Sequence, residues 1–177
     1  MDSQSNTQTQ NYPPAFARAI ARLLGDEGGY VDNPADPGGE TKFGITRREY
    51  PNVDIAALTR TEATAIYYRD WWQRYRYSEL PGPIAAKLFD LAVNIGPDHA
   101  VRCLQRALRA CGRRVAEDGA LGRVTTTAVG AANQLAMLAA LRAEAAGYYR
   151  VLAALERGQR ADGDREFLDG WLNRAYE

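Results

Sequence analysis

Apolar residues recur every three or four positions through most of this chain, and glycine and proline cut that recurrence into short pieces. Such a pattern specifies a set of packed helices instead of an extended sheet. Pro13-Pro14 suits a helix start, and Phe16, Ile20, Leu23 and Leu24 follow at helical spacing until Gly28-Gly29, which predicts a helix over 14–27. Thr61-Glu62 opens a second, to about Tyr77, and Pro81-Gly82-Pro83 precedes a third from Ile84 to Ile95 that is apolar on most sides and therefore central. Gly96-Pro97 stops that helix and starts the next, whose stripe of Val101, Leu104, Leu108 and Cys111 ends at Gly112. Asp118-Gly119 and Gly122 mark turns before a short helix over 123–132. Leu138, Leu141, Ala145, Tyr148, Leu152 and Leu155 line a long helix, and Phe167, Leu168, Trp171 and Leu172 the last.

Between these helices, residues 30–46 hold three Gly, two Pro and Asp or Glu residues interleaved with Val31, Phe43 and Ile45, the texture of an ordered loop or small hairpin. The class is mainly α. With 177 residues and 46% apolar content the chain can fill its own core and fold alone. The 22 basic and 22 acidic residues cancel, so no long-range field favours nucleic acid or an anionic membrane. Cys103 and Cys111, eight residues apart on one helix, are about 12 Å apart and read as reduced packing residues. No stretch has the length and apolarity of a membrane span, and Met1 to Asn11 is polar, without the regions of a signal peptide. Synthesis in the cytoplasm, with assisted export if the substrate is outside, is the expectation, as is a monomer.

Helical spacing from Ile20 and Leu23 puts Glu27 on the apolar stripe and in the last helical turn. Desolvation and the negative end of the helix dipole would both raise its pKa, which suits a general acid for glycoside hydrolysis. A glutamate that merely ends a helix before glycine explains the same residues. Asp32, Asp36 and Glu40 are candidates for a second carboxylate. Asp36 sits nine positions after Glu27 in a Pro/Gly-fixed turn, where turn chemistry explains an Asp equally well. Thr41 and Lys42 can hydrogen-bond a water or sugar hydroxyl, and Tyr30 is read as a further substrate contact. Tyr67, Tyr68, Trp71, Trp72, Tyr75 and Tyr77 suit sugar rings, but Tyr67, Trp71 and Tyr75 repeat every four residues as core aromatics do. Asp90 and Asn94, one turn apart on an apolar helix, form a buried polar pair that serves either substrate or a structural network. His99 reads as a surface residue. With one histidine, no Cys/His cluster and no phosphate-binding glycine loop, metal, nucleotide and serine-hydrolase chemistries are excluded, and no cofactor or metal is expected.

The run Glu27-Gly28-Gly29-Tyr30-Val31-Asp32-Asn33-Pro34-Ala35-Asp36-Pro37-Gly38-Gly39-Glu40-Thr41-Lys42-Phe43-Gly44-Ile45-Thr46 resembles the signature of glycoside hydrolase family 108, the lysozyme-like muramidases of phage endolysins and bacterial autolysins. The second half resembles the predicted peptidoglycan-binding helical domain that follows it in that family. There the resemblance is carried by Phe89-Asp90-Leu91-Ala92-Val93-Asn94-Ile95-Gly96, Leu104-Gln105-Arg106-Ala107-Leu108, Asp118-Gly119-Ala120-Leu121-Gly122 with Thr125, and Phe167-Leu168-Asp169-Gly170-Trp171-Leu172-Asn173-Arg174. The resemblance implies a lysozyme-like helical fold whose small hairpin carries the active site, with Glu27 as catalytic acid and peptidoglycan glycan strands as partner. It implies a tail over 1–12, a catalytic segment over 13–88 and a peptidoglycan-binding segment over 89–177. Phage lysozymes place an Asp nine positions after the Glu and a Thr six further; Asp36 fits, but Lys42 stands at the last position and Thr41 one short. The water-positioning residue is thus Thr41, Lys42 or neither. The reaction implied is hydrolysis of the β-1,4 bond between N-acetylmuramic acid and N-acetylglucosamine. A lytic transglycosylase and a non-catalytic peptidoglycan-binding module are the alternatives, and a holin or a secretion system would provide export.

Overall fold

The computed structural model describes residues 11–25, 29–32, 39–156 and 164–177. It is a mainly α, lysozyme-like helical fold with one small antiparallel hairpin. Among the described residues the elements are α1 (Pro14–Leu23), β1 (Thr41–Lys42), β2 (Ile45–Thr46), α2 (Arg60–Tyr67), α3 (Gly82–Ile95), α4 (Pro97–Ala110), α5 (Arg123–Gly130), α6 (Gln134–Glu156) and α7 (Asp164–Tyr176). None of them is long and apolar enough to cross a membrane.

α1 begins with proline in its first turn and buries Phe16, Ala19 and Ile20, three to four residues apart. It ends earlier than its apolar pattern predicts. Leu24 closes the helix onto Ile20, and Gly25 turns away with φ +27° and its N–H on the carbonyl of Arg22. The carbonyl of Gly25 then accepts from Arg60 at the start of α2, 2.9 Å away. Tertiary pairing thus ends the helix where local periodicity would have continued it.

α2 starts on a capping box: Thr59 accepts from the N–H of Glu62, whose carboxylate takes the N–H of Thr59 at 2.8 Å. The α-helix lasts only to Tyr67 and widens into a π-helical turn over Tyr68–Gln73. In a π-turn, bonds run from i to i+5, and the buried aromatics follow that period. Tyr67, Trp72 and Tyr77 are buried, whereas Trp71 and Tyr75, which a period of four would have buried, are only half covered. Phe16 meets Trp72 and Phe89 edge-on at 5.4 and 5.7 Å, so this cluster joins α1 to α3.

α3 is the central helix, with Ile84, Leu88, Phe89 and Leu91 inaccessible to solvent. It starts at Gly82, two residues before the first apolar position, with Pro81 as N-cap and Pro83 in the first turn, and Gly82 lies against Ala15 of α1. Gly96, at φ +83°, ends α3 and starts α4. Val101, Leu104 and Leu108 of α4 are buried as their spacing predicts, and Cys103 and Cys111 are both free. Beside them Gln105 is fully buried. It donates to Asp118 at 2.7 Å and accepts from the N–H of Gly119, which fixes the turn before α5. The separated resemblance motifs Gln105, Asp118-Gly119 and Thr125 are therefore one hydrogen-bonded unit. The buried stripe of α6 is rotated by about one residue from the predicted one: Met137, Leu141, Ala145 and Tyr149 are inside, and Leu138 and Tyr148 only partly. Tyr149 stacks on Trp171 of α7 at 5.7 Å. One hydrophobic core runs from Phe16 to Ala175 through all of this.

Candidate active site

The hairpin is built on a two-residue turn, Phe43-Gly44, between the pairs Thr41–Thr46 and Lys42–Ile45. Both turn residues have positive φ, +54° and +75°, as the primed turns that match strand twist require. Phenylalanine is strained there, and a hydrogen bond supports it: the hydroxyl of Tyr67 donates to the carbonyl of Phe43 at 3.1 Å. The fully buried Ile45 plugs the hairpin into the core.

Pairing continues past the strands. Arg47 donates its N–H to the carbonyl of Glu40, and its guanidinium holds the Glu40 carboxylate, which also accepts from the hydroxyl of Tyr30 at 2.8 Å. Those two hydrogen bonds, Tyr30 first and Arg47 second, hold Glu40 below its ordinary carboxylate range, while the bond to Glu40 pushes the Tyr30 phenol up to about 12. A carboxylate kept ionised by a cation and a phenol is unsuited to donate a proton. Its two partners make Glu40 a structural clasp of the loop. The Tyr30 bond makes its full contribution below the phenol's ordinary value of 10.0 and loses it as pH rises through about 12. In Glu40→Ala the Tyr30 ring, followed by tyrosine-labelled NMR, should titrate close to its ordinary value; an unchanged titration would show that the clasp is not what raises it.

Glu27 and Asp36 both lie outside the described residues, but their flanks are fixed. Gly25 is tied to Arg60 before Glu27, and Tyr30 to Glu40 after it. The segment carrying Asp36 leaves and returns through the backbone pair Val31–Thr41, whose reciprocal N–H···O bonds are 2.9 and 2.8 Å. α1 ends at Leu23, and the expectation that Glu27 lies in its last turn falls outside the described residues. Lys42 donates to the carbonyl of Ala56 at 2.7 Å, and the Thr41 hydroxyl to that of Gly39 at 3.3 Å. Both are engaged with backbone in holding the loop.

Asp90 and Asn94 belong elsewhere. Asp90 is half-buried and faces Lys87 and Arg174 at 3.4 and 3.7 Å, towards α7. Asn94 is exposed, not buried, and its side-chain oxygen accepts from the Tyr149 hydroxyl at 2.7 Å. Neither hydrogen-bonds to the hairpin among the described residues. His99 is exposed, with its ring 5.3 Å from that of Tyr148. Sequence reading missed Arg47 and Arg60. The signal for Arg47 was present: once the turn is placed at Phe43-Gly44, Glu40 and Arg47 are the next cross-strand pair. For Arg60 there was none, since its partner is a backbone carbonyl 35 residues away.

A mainly α body with one small clasped hairpin defines a lysozyme-like fold. The glycosyl hydrolase 108 model matches residues 20–96, and the predicted peptidoglycan domain model matches residues 99–176. The structure of SagA from Brucella abortus superposes with a TM-score of 0.66 at 30% identity, covering 90% of this chain and 92% of that one. No curated protein matches. The chain belongs to glycosyl hydrolase family 108 and carries that family's peptidoglycan domain, which indicates a peptidoglycan hydrolase type of function.

Proposed function

We propose that the protein is an N-acetylmuramidase that hydrolyses the β-1,4 bond between N-acetylmuramic acid and N-acetylglucosamine. Glu27 is the general acid that protonates the leaving sugar oxygen, and Asp36 the second carboxylate, which orients water or stabilises the oxocarbenium-like transition state. The observation that carries this reading is the clasp. Tyr30, Glu40, Arg47, Arg60 and the Val31–Thr41 pair fix both ends of the two segments in which Glu27 and Asp36 lie, as a site needing precise placement requires. Glu40, the competing carboxylate, is already committed to Arg47 and Tyr30. Gly28 and Gly29 have no side chains to fill the space a sugar ring would need beside Glu27.

Mass spectrometry of fragments released from purified peptidoglycan tests the reaction. Reducing N-acetylmuramic acid ends support hydrolysis. A 1,6-anhydro end would replace it with lytic transglycosylation, and pelleting with the wall without any release would reduce the protein to a binding module.

A further inference from the structure

α1, α3, α6 and α7 line an open cavity of about 440 Å³. Five cations line it: Arg18 and Arg22 from α1, Lys87 from α3, Arg142 from α6 and Arg174 from α7. Among the described residues two acidic side chains, Asp90 and Glu177, line it with them. Asp90 is shared between Lys87 and Arg174, and Lys87 also donates to the backbone carbonyl of Arg174. Arg22 and Arg142 both donate to the main-chain oxygen of Glu177, and among the described residues the Nε of Arg142 is buried with no partner. Lys87 is 94% buried, and burial with the nearby guanidinium groups of Arg142 and Arg174 lowers its pKa. Five cations outnumber the acidic groups around them, and a buried excess of positive charge is costly unless a further anion answers it.

We propose that this cavity binds a carboxylate of the peptidoglycan peptide stem. The inference rests on the peptidoglycan reading above. The cavity has the volume of a small-ligand site, and guanidinium forks match carboxylates in geometry. In an otherwise uncharged glycan it is the peptide stem that carries carboxylates. Arg22 and Lys87 come from the segment matched as glycosyl hydrolase, Arg142 and Arg174 from the peptidoglycan domain, so one bound stem would bridge both.

Calorimetry on the full chain tests this with a synthetic N-acetylmuramyl peptide, which has no glycosidic bond to cleave. The free-carboxylate ligand should bind about tenfold more tightly than its amidated counterpart, and Arg142→Gln should remove that difference. The exposed Arg22→Gln, which leaves packing untouched, should narrow it. Equal binding of the two ligands by wild type, unchanged preference in both variants, or tighter binding of poly(glycerol phosphate) would overturn the site. A wild-type chain that prefers the free carboxylate but releases no wall fragments would sink the hydrolase reading and leave the cavity's assignment standing.

Discussion

Glu27→Gln is expected to lower release of soluble fragments from purified peptidoglycan by about 10²–10⁴-fold, the usual contribution of a positioned general acid, with no change in melting temperature. Glutamine keeps the shape and hydrogen-bonding capacity of glutamate but has no proton to give to the leaving oxygen. The expected loss therefore follows from the chemistry of the leaving group and the anchored flanks. The pH profile gives a second readout: a general acid that must be protonated makes wild-type activity fall on the alkaline side as Glu27 ionises, and the residual activity of the variant should lose that limb. Retention of full activity in Glu27→Gln would end the assignment.

Gly44→Ala should destabilise the protein by about 2–3 kcal/mol, or a fall in melting temperature of about 4–12 °C for a chain of this size. Two effects add. Alanine at φ +75° suffers the left-handed penalty, and its Cβ would lie 2.7 Å from the hydroxyl of Tyr67. Tyr67 is buried and cannot swing aside, so the clash is relieved only by giving up its hydrogen bond to Phe43. Tyr67→Phe, which loses that bond without the clash, should cost only about 1 kcal/mol. Because the hairpin positions both the Glu40 clasp and the Val31–Thr41 pair, turnover in Gly44→Ala should fall by more than the folded fraction explains. Thermal melts with activity assays below the transition check both parts, and a Gly44→Ala protein as stable as wild type would refute this account of the turn.

How far the sequence could be read differs from element to element for physical reasons. α3, α4 and α6 announce themselves because their apolar faces repeat over fourteen residues or more. The segment after Thr59 misleads because six aromatics in eleven positions fit a period of four as well as five, and only packing against Phe16 and Phe89 selects the π-turn that buries Trp72. Asp90 and Asn94 look like a buried pair from spacing alone, yet α6 and α7 decide that one faces Lys87 and Arg174 and the other the solvent and Tyr149. That Arg47 holds Glu40 is legible only once the turn places the two across from each other.

By itself the sequence determined the helical class, the hairpin, and the placement of Glu27 and Asp36 in a run that resembles a muramidase signature, because periodicity, turn residues and local motifs are properties of neighbours in the chain. Tertiary structure alone decided where α1 stops, which carboxylate Arg47 and Tyr30 hold, and that five cations from four helices surround one cavity. Each of these depends on groups from distant parts of the chain or across a turn, whose meeting is set by packing of the core and not by any local preference.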